Sequence, residues 1–284
     1  MKILITGAKG QLGRSLEKIS KDFSYEFIFT DVEELDITDK DKVEECFHQV
    51  RPDVVINAAA YTAVDNAEDD REKAKLLNAT AVKNLASACK NISARFIHVS
   101  TDYVFNGRSS HPYTPYDSPM PESVYGETKL LGEKFAIESY EKVNIIRTAW
   151  LYSEFGKNFV KTMIRLANER KELTVVFDQI GTPCYATDLA KAIMILVEKG
   201  SKEKILHFSN EGVCSWYDFA KKIIELSKLN CLVRPILSKD FPAKAKRPLN
   251  SRLDTGRLLE RGFAELPAWQ DALKRFLAEL EKNA

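Results

Sequence analysis

Lys2-Ile3-Leu4-Ile5-Thr6-Gly7-Ala8-Lys9-Gly10-Gln11-Leu12-Gly13 opens the chain, and its reading decides the fold. The first five residues form a short apolar run that ends at glycine, as expected of a buried parallel strand. Glycines then come in the spacing G-x-x-G-x-x-G, and Leu16 and Ile19 resume at helical spacing. Strand, glycine-rich turn and helix are what a diphosphate site needs. Glycine permits the tight turn and close backbone approach, and the helix N-terminus offers free N–H groups to an anion. Gly7 and Gly10 are therefore candidate cofactor-binding residues. A glycine turn without a ligand is the plain alternative.

Outward from this stretch, the same alternation repeats. Phe27-Ile28-Phe29 ends at Thr30-Asp31, and Asp31 lies about two dozen residues past Gly7, where a carboxylate for an adenosine ribose is expected. Asp36-Ile37 opens a segment that can lie along an adenine. The next helix carries Val43, Cys46 and Phe47, with His48 read as a surface residue. Asp53-Val54-Val55-Ile56-Asn57 forms a third strand, followed by Ala58-Ala59-Ala60, whose small side chains let a cofactor rest on the backbone. Glu68 to Lys75 reads as a solvated helix face, and Leu76, Leu77, Ala81, Leu85 and Ala88 as the buried stripe behind it. Phe96-Ile97-His98-Val99-Ser100 is a fourth strand, with Thr101-Asp102 at its carboxyl end. This order predicts an α/β fold, a doubly wound parallel (Rossmann-like) sheet with right-handed crossovers.

Thr101 then shares an edge with the glycine turn and with the helix that begins after the Pro-containing loop from Pro112 to Pro121. That helix opens with Tyr125-Gly126-Glu127-Thr128-Lys129. Residues four apart on a helix are neighbours, at roughly 5–6 Å between Cβ atoms. An ammonium beside a phenol lowers its pKa from about 10 towards the range of general acid–base work. The pattern is weak by itself, because Tyr217 and Lys221 repeat it in an ordinary amphipathic helix. Only Tyr125 has a strand-end hydroxyl upstream. Tyr125, Lys129 and Thr101 are the candidate catalytic residues.

Beyond residue 150 the pattern loosens. Phe159, Met163, Leu166 and Ala167 mark a helix, Leu173 to Val176 a strand, and Thr187-Asp188 the start of another helix. Ile205 to Phe208 reads as a strand, Trp216 to Leu229 as a helix, and Trp269, Leu273, Phe276 and Leu280 as a terminal helix. The expected division is a dinucleotide-binding domain of residues 1–149 with about 184–200. A smaller interleaved C-terminal substrate lobe would take about 150–183 and 201–284. Arg247 suits a nucleotide diphosphate, or is an ordinary surface arginine of the basic stretch from Lys244.

Composition narrows the partners. Forty-two basic and 41 acidic side chains give a net charge of +1, so no nucleic acid and no membrane surface is expected. Five scattered cysteines among 284 residues fit a reducing cytoplasm rather than a disulfide framework. No apolar run approaches the roughly 18 residues of a membrane span, and with a strand from residue 2 no signal peptide is expected.

The chain resembles the extended short-chain dehydrogenase/reductase family nearly end to end, and within it the reductases of nucleotide-linked keto sugars. The resemblance rests on Gly7 to Gly13, Asn57 to Asp65, Ser100 to Phe105 and Val124 to Lys129. It continues through Arg147-Thr148-Ala149-Trp150-Leu151-Tyr152, Asp178-Gln179 with Gly181, and Arg247 to Leu253. It implies that Gly10, Gln11 and Leu12 hold a diphosphate, that Asp31, Asp36 and Ile37 meet the adenosine half, and that Ala60, Tyr61 and Thr62 lie by the cofactor. It places Thr62 and Val64 near a sugar nucleotide, and Thr101, Asp102 and Trp150 near the keto sugar. The implied activity is reduction of a C4 keto group on a dTDP-sugar by NADPH or NADH. Asp31 favours NADH by repelling a 2′-phosphate, whereas the resemblance suggests NADPH or dual use. Two other readings are a 4-epimerase or dehydratase of the same family and a non-catalytic NAD(P)-binding regulatory subunit. Dehydratases of the family place a second carboxylate after the Asp, where this chain has Tyr103. The resemblance departs at Arg14-Ser15, where relatives carry a glutamate used in a metal-assisted dimer. No metal is expected, and a homodimer stays open.

Overall fold

The computed structural model describes residues 1–256, 258 and 266–282. Its strands are β1 (Lys2–Thr6), β2 (Glu26–Thr30), β3 (Val54–Asn57), β4 (Arg95–Thr101), β5 (Val143–Thr148), β6 (Leu151–Tyr152), β7 (Glu172–Val176), β8 (Ile180–Gly181), β9 (Cys184–Tyr185), β10 (Ile205–His207), β11 (Cys214–Ser215) and β12 (Leu232–Ile236). Its helices are α1 (Gln11–Ser20), α2 (Lys40–Val50), α3 (Val64–Ala67), α4 (Arg71–Lys75), α5 (Ala81–Ile92), α6 (Val124–Ser139), α7 (Phe159–Glu169), α8 (Ala186–Lys199), α9 (Trp216–Leu226) and α10 (Trp269–Lys282).

Strands β2, β1, β3, β4, β5 and β10 pair in that order as a parallel six-stranded sheet. Side chains alternate across it. Ile3 and Ile5 of β1 pack with Leu16 of α1 and Ile193 of α8 on one face, whereas Leu4 packs with Val43 of α2 and Leu85 of α5 on the other. Both faces are covered, which is why the strands read as unbroken apolar runs. The chain leaves β1 for β2 on one side and returns to β3 on the other. That reversal opens a crevice above the carboxyl ends of β1 and β3, where ligands of such sheets bind.

The smaller lobe has its own core, in which Tyr152, Phe219 and Phe276 are buried with Val160 of α7 and Leu273 of α10. Its strands β7 and β12 pair in parallel, with Leu173 opposite Val233.

Three details differ from the sequence reading. Ile205–His207 joins the main sheet beside β5 and does not belong to the lobe assigned from about residue 201 onward. Leu76 is exposed, not part of the buried stripe, because residues Leu76–Thr80 form a π-helical turn that breaks the 3.6-residue spacing. Helix α9 stops at Leu226. Residues 257, 259–265 and 283–284, within the stretch assigned to the lobe, lie outside the described residues.

Helix α6 is fastened to β5 by a buried ion pair. Arg147 Nε and Nη2 donate to the two Glu133 oxygens at 2.9 and 2.6 Å, both side chains being almost fully buried, and the guanidinium lies 5.0 Å over the Phe105 ring. Deleting one partner of such a pair strands the other charge. Glu133→Ala should therefore lower the unfolding free energy by about 3–5 kcal/mol in denaturant titration, whereas Glu133→Leu with Arg147→Met should lose much less.

Candidate active site

The glycine turn owes its shape to contacts that leave no room for a side chain. Gly7 has φ +72°, and a Cβ there would stand 2.6 Å from the Ala59 nitrogen. Gly10 precedes α1 in extended conformation, and no side chain caps this helix. Its N-terminus is thus aimed, uncovered by a cap, at a cavity of about 950 Å³ above the β1–β3 crevice.

Helix α6 reaches the same cavity because Ser123 caps it, accepting from the Gly126 N–H at 3.2 Å. The Glu68 carboxylate accepts from the Val124 N–H at 2.9 Å. A Cβ on Gly126 would lie 2.2 Å from the Tyr103 carbonyl oxygen, so only glycine lets the helix start this close to the end of β4. This approach sets the Tyr125 ring edge-on to Tyr103, with centroids 5.4 Å apart, and brings its phenol close enough to Thr101 for the threonine hydroxyl to act on its pKa.

Of the residues singled out in the sequence, Gly7, Gly10, Gln11, Leu12, Asp31, Asp36, Ile37, Ala58, Ala60, Thr62, Val64, Thr101, Asp102, Tyr125, Lys129 and Trp150 all line this one cavity. Tyr61 is not in its wall, and its hydroxyl donates to Asp70 at 3.0 Å. Arg247 is not there either. Its Nη1 and Nη2 grip Asp65 at 3.1 and 2.7 Å, so the donors expected to meet a diphosphate are committed to a carboxylate. Asp31 itself ties β2 to the glycine turn, accepting from the Lys9 N–H at 2.8 Å. The repeated pair at Tyr217 and Lys221 is a cation over a ring, 5.5 Å from its centroid, and neither residue lines the cavity.

The electrostatics depart from the expected phenol–ammonium pairing. Lys129 Nζ turns back against β4, donating to the Val99 carbonyl at 2.7 Å and lying 3.3 Å from His98 Nε2. Burial lowers its pKa to about 8, against an opposing effect of Glu133. Burial raises the Tyr125 phenol to about 12, with Thr101 pulling it down and Asp102 pushing it up. In this arrangement the lysine does not lower the tyrosine's pKa. Asp102 is itself pushed up to about 6 by burial, with the neighbouring Ser251 and Thr101 hydroxyls acting the other way. Thr101 Oγ1 donates to Asp102 Oδ1 at 3.0 Å and accepts from the Tyr103 N–H at 3.2 Å. Its single proton is therefore shared between Asp102 and anything that enters the cavity.

The sequence reading named Trp150 but missed the two aromatic residues that complete its wall. Trp150 adopts φ +49°, a left-handed conformation that costs a non-glycine residue about 1–3 kcal/mol. Its ring stacks on Trp216, with centroids 3.7 Å apart, and Phe159 lies against Trp216 at 4.6 Å. All three line the cavity. Phe159 and Trp216 were legible only as core residues of two lobe helices, since no local motif marks them. Lys73, on the stretch read as a solvated face, is exposed at the cavity's rim.

These features put the chain in the extended short-chain dehydrogenase/reductase class. More narrowly, it belongs to the family described as the RmlD substrate binding domain, whose model matches residues 1–282. It is 44% identical over 293 residues to the dTDP-4-dehydrorhamnose reductase of Aggregatibacter actinomycetemcomitans, covering 99% of each chain. A crystal structure of a dTDP-4-dehydrorhamnose reductase from Clostridium acetobutylicum superimposes with a TM-score of 0.96 at 44% identity, over 99% of this chain and 100% of that one. The dTDP-4-dehydrorhamnose reductase of Bacillus anthracis, solved in complex with NADP, gives 0.95 at 41% identity, over 98% and 99%.

The lysine's environment makes a prediction about stability. Its folded pKa of about 8 lies below the ordinary 10.5, so between those values the unfolded chain binds more protons and folding gains stability as pH rises. Denaturant midpoints measured from pH 8 to 10.5 should rise for the wild type relative to Lys129→Met. A difference that stays constant across the window would show that Lys129 is not perturbed.

Proposed function

We propose that this protein reduces the C4 keto group of dTDP-4-dehydro-β-L-rhamnose to dTDP-β-L-rhamnose at the expense of NADPH or NADH. The observation that carries the reading is the meeting of the glycine turn, Thr101, Tyr125 and Lys129 in one cavity, in a chain so like reductases of that name over its whole length.

The residues fit a dinucleotide. The uncapped N-terminus of α1 suits a diphosphate, and the backbone from Ala58 to Ala60 offers a flat shelf of small side chains. Gln11, whose Oε1 accepts from Asn158 of the lobe at 3.0 Å, ties the turn to the second wall of the cleft. The nicotinamide, when bound, supplies the hydride.

The protein's own part is to orient the sugar and deliver a proton. Tyr125, protonated at neutral pH because its phenol sits at about 12, gives its proton to the carbonyl oxygen as negative charge develops there. Thr101 turns its hydroxyl proton from Asp102 to the same oxygen, stabilising that charge in a water-poor pocket. Lys129, when charged, would stabilise the phenolate left after that transfer until solvent returns a proton to it, and would hold the nicotinamide ribose. Trp150, braced by Trp216, gives the sugar an apolar wall. A second carboxylate for removing water is missing, since Tyr103 stands after Asp102, which disfavours a dehydratase. We also place the enzyme in the cytoplasm, where its five free cysteines would stay reduced.

Loss of reduced-cofactor absorbance in the presence of the keto sugar tests the reading. Tyr125→Phe should lose about 10²–10⁴ in turnover with little change in cofactor affinity. Normal turnover in that variant, or no oxidation of either cofactor by the wild type, would sink it.

A further inference from the structure

Behind the catalytic lysine lies a buried chain of polar side chains that the proposed reaction does not use. Thr6, Asn57 and His98 stand at the ends or interior of β1, β3 and β4, each essentially without solvent exposure. Asn57 Oδ1 accepts from the Thr6 hydroxyl at 2.8 Å and from the Ala59 N–H at 3.0 Å. A backbone N–H can only donate, so the amide oxygen must be where it is and Asn57 Nδ2 must face His98 Nδ1, 3.1 Å away. An amide nitrogen is likewise only a donor. His98 Nδ1 is therefore an acceptor, and in the neutral ring the proton sits on Nε2.

That N–H points at Lys129 Nζ from 3.3 Å. An ammonium has three donors and no lone pair, so it gives the imidazole N–H nothing to bond. A free amine does, while still donating to the Val99 carbonyl. Flipping the histidine tautomer would set its Nδ1–H against the Asn57 amide protons. The other ionisable groups around Lys129 are Tyr125 and the Arg147-paired Glu133 on its own helix, and Asp102 just past β4. Glu133 alone favours the ammonium, and Arg147 already binds both of its oxygens.

We propose that Asn57 and His98 are positioning residues that, through the histidine tautomer they fix, favour the free amine of Lys129 over its ammonium in the cofactor-free enzyme, and so set the pH at which the lysine gains the charge that lowers the Tyr125 pKa. The proposal rests on Lys129 being the catalytic lysine of the reductase reading. Burial acts on the lysine in the same direction.

The test reads histidine tautomers by long-range ¹H–¹⁵N correlation NMR on the cofactor-free protein, an arm that stands whether or not the keto sugar is reduced. His98 should carry its proton on Nε2, with Nδ1 bare, from about pH 6 to 9. A proton on Nδ1 overturns the proposal. In Asn57→Asp the carboxylate keeps the Thr6 and Ala59 bonds and accepts from His98 Nδ1–H, turning Nε2 into an acceptor for the ammonium. The tautomer should then switch, and the limb of the kcat/KM–pH profile set by Lys129 should move up by about one pH unit or more. A switched tautomer with an unmoved limb overturns the proposal. Should Asn57→Asp fail to fold, the wild-type tautomer decides alone.

Discussion

Helix α6 turns a polar stripe towards the sheet, and the rest of the site depends on that stripe being satisfied. Tyr125, Lys129 and Glu133 are spaced four apart and all three are buried. A buried polar group without a partner costs several kcal/mol, so a helix of this kind seats itself only where each member finds its mate. Thr101 stands beside the phenol, the Val99 carbonyl meets the Lys129 nitrogen, and Arg147 meets the carboxylate. Three partners on adjacent β4 and β5 thus fix the helix's rotation and height together. The proposed catalytic geometry and the structural fastening share one set of side chains.

The same sheet edge joins the two halves of the cleft. The glycine turn arrives on β1, the small shelf on β3 and the hydroxyl on β4, because a doubly wound sheet delivers every strand's carboxyl end to one side. The lobe closes over them through Gln11, which bonds Asn158, and through Lys18, which bonds Glu154 and Glu279 at 2.6 Å each. Its contribution to the pocket is aromatic. Trp150 leaves β5 in a left-handed conformation, and the stack on Trp216 pins the ring that this strained backbone presents.

Much of this was legible in the sequence, and the reason is locality. Strand, glycine turn and helix lie within twenty residues, and Tyr125 and Lys129 within one helical turn, so local chemistry fixes their relation. What escaped depends on pairings that no short window contains. Asp65 captures Arg247 from far along the chain. Residues 205–207 join the main sheet because β5 leaves an edge for them, although their position in the sequence suggests the lobe. The π-turn at Leu76 changes a periodicity that reads as ordinary helix. Most instructive is Lys129. The spacing correctly made it Tyr125's neighbour, yet the direction of its amino group is set by Val99 and His98 across the interface, which helical spacing does not encode.

The most direct check is a crystal structure of the ternary complex with oxidised cofactor and dTDP-β-L-rhamnose. The Tyr125 hydroxyl should lie within hydrogen-bond reach, about 2.6–3.2 Å, of the sugar's C4 oxygen, with the nicotinamide on the other side of that carbon. A sugar seated elsewhere in the cleft, or a C4 oxygen held by neither Tyr125 nor Thr101, would contradict it.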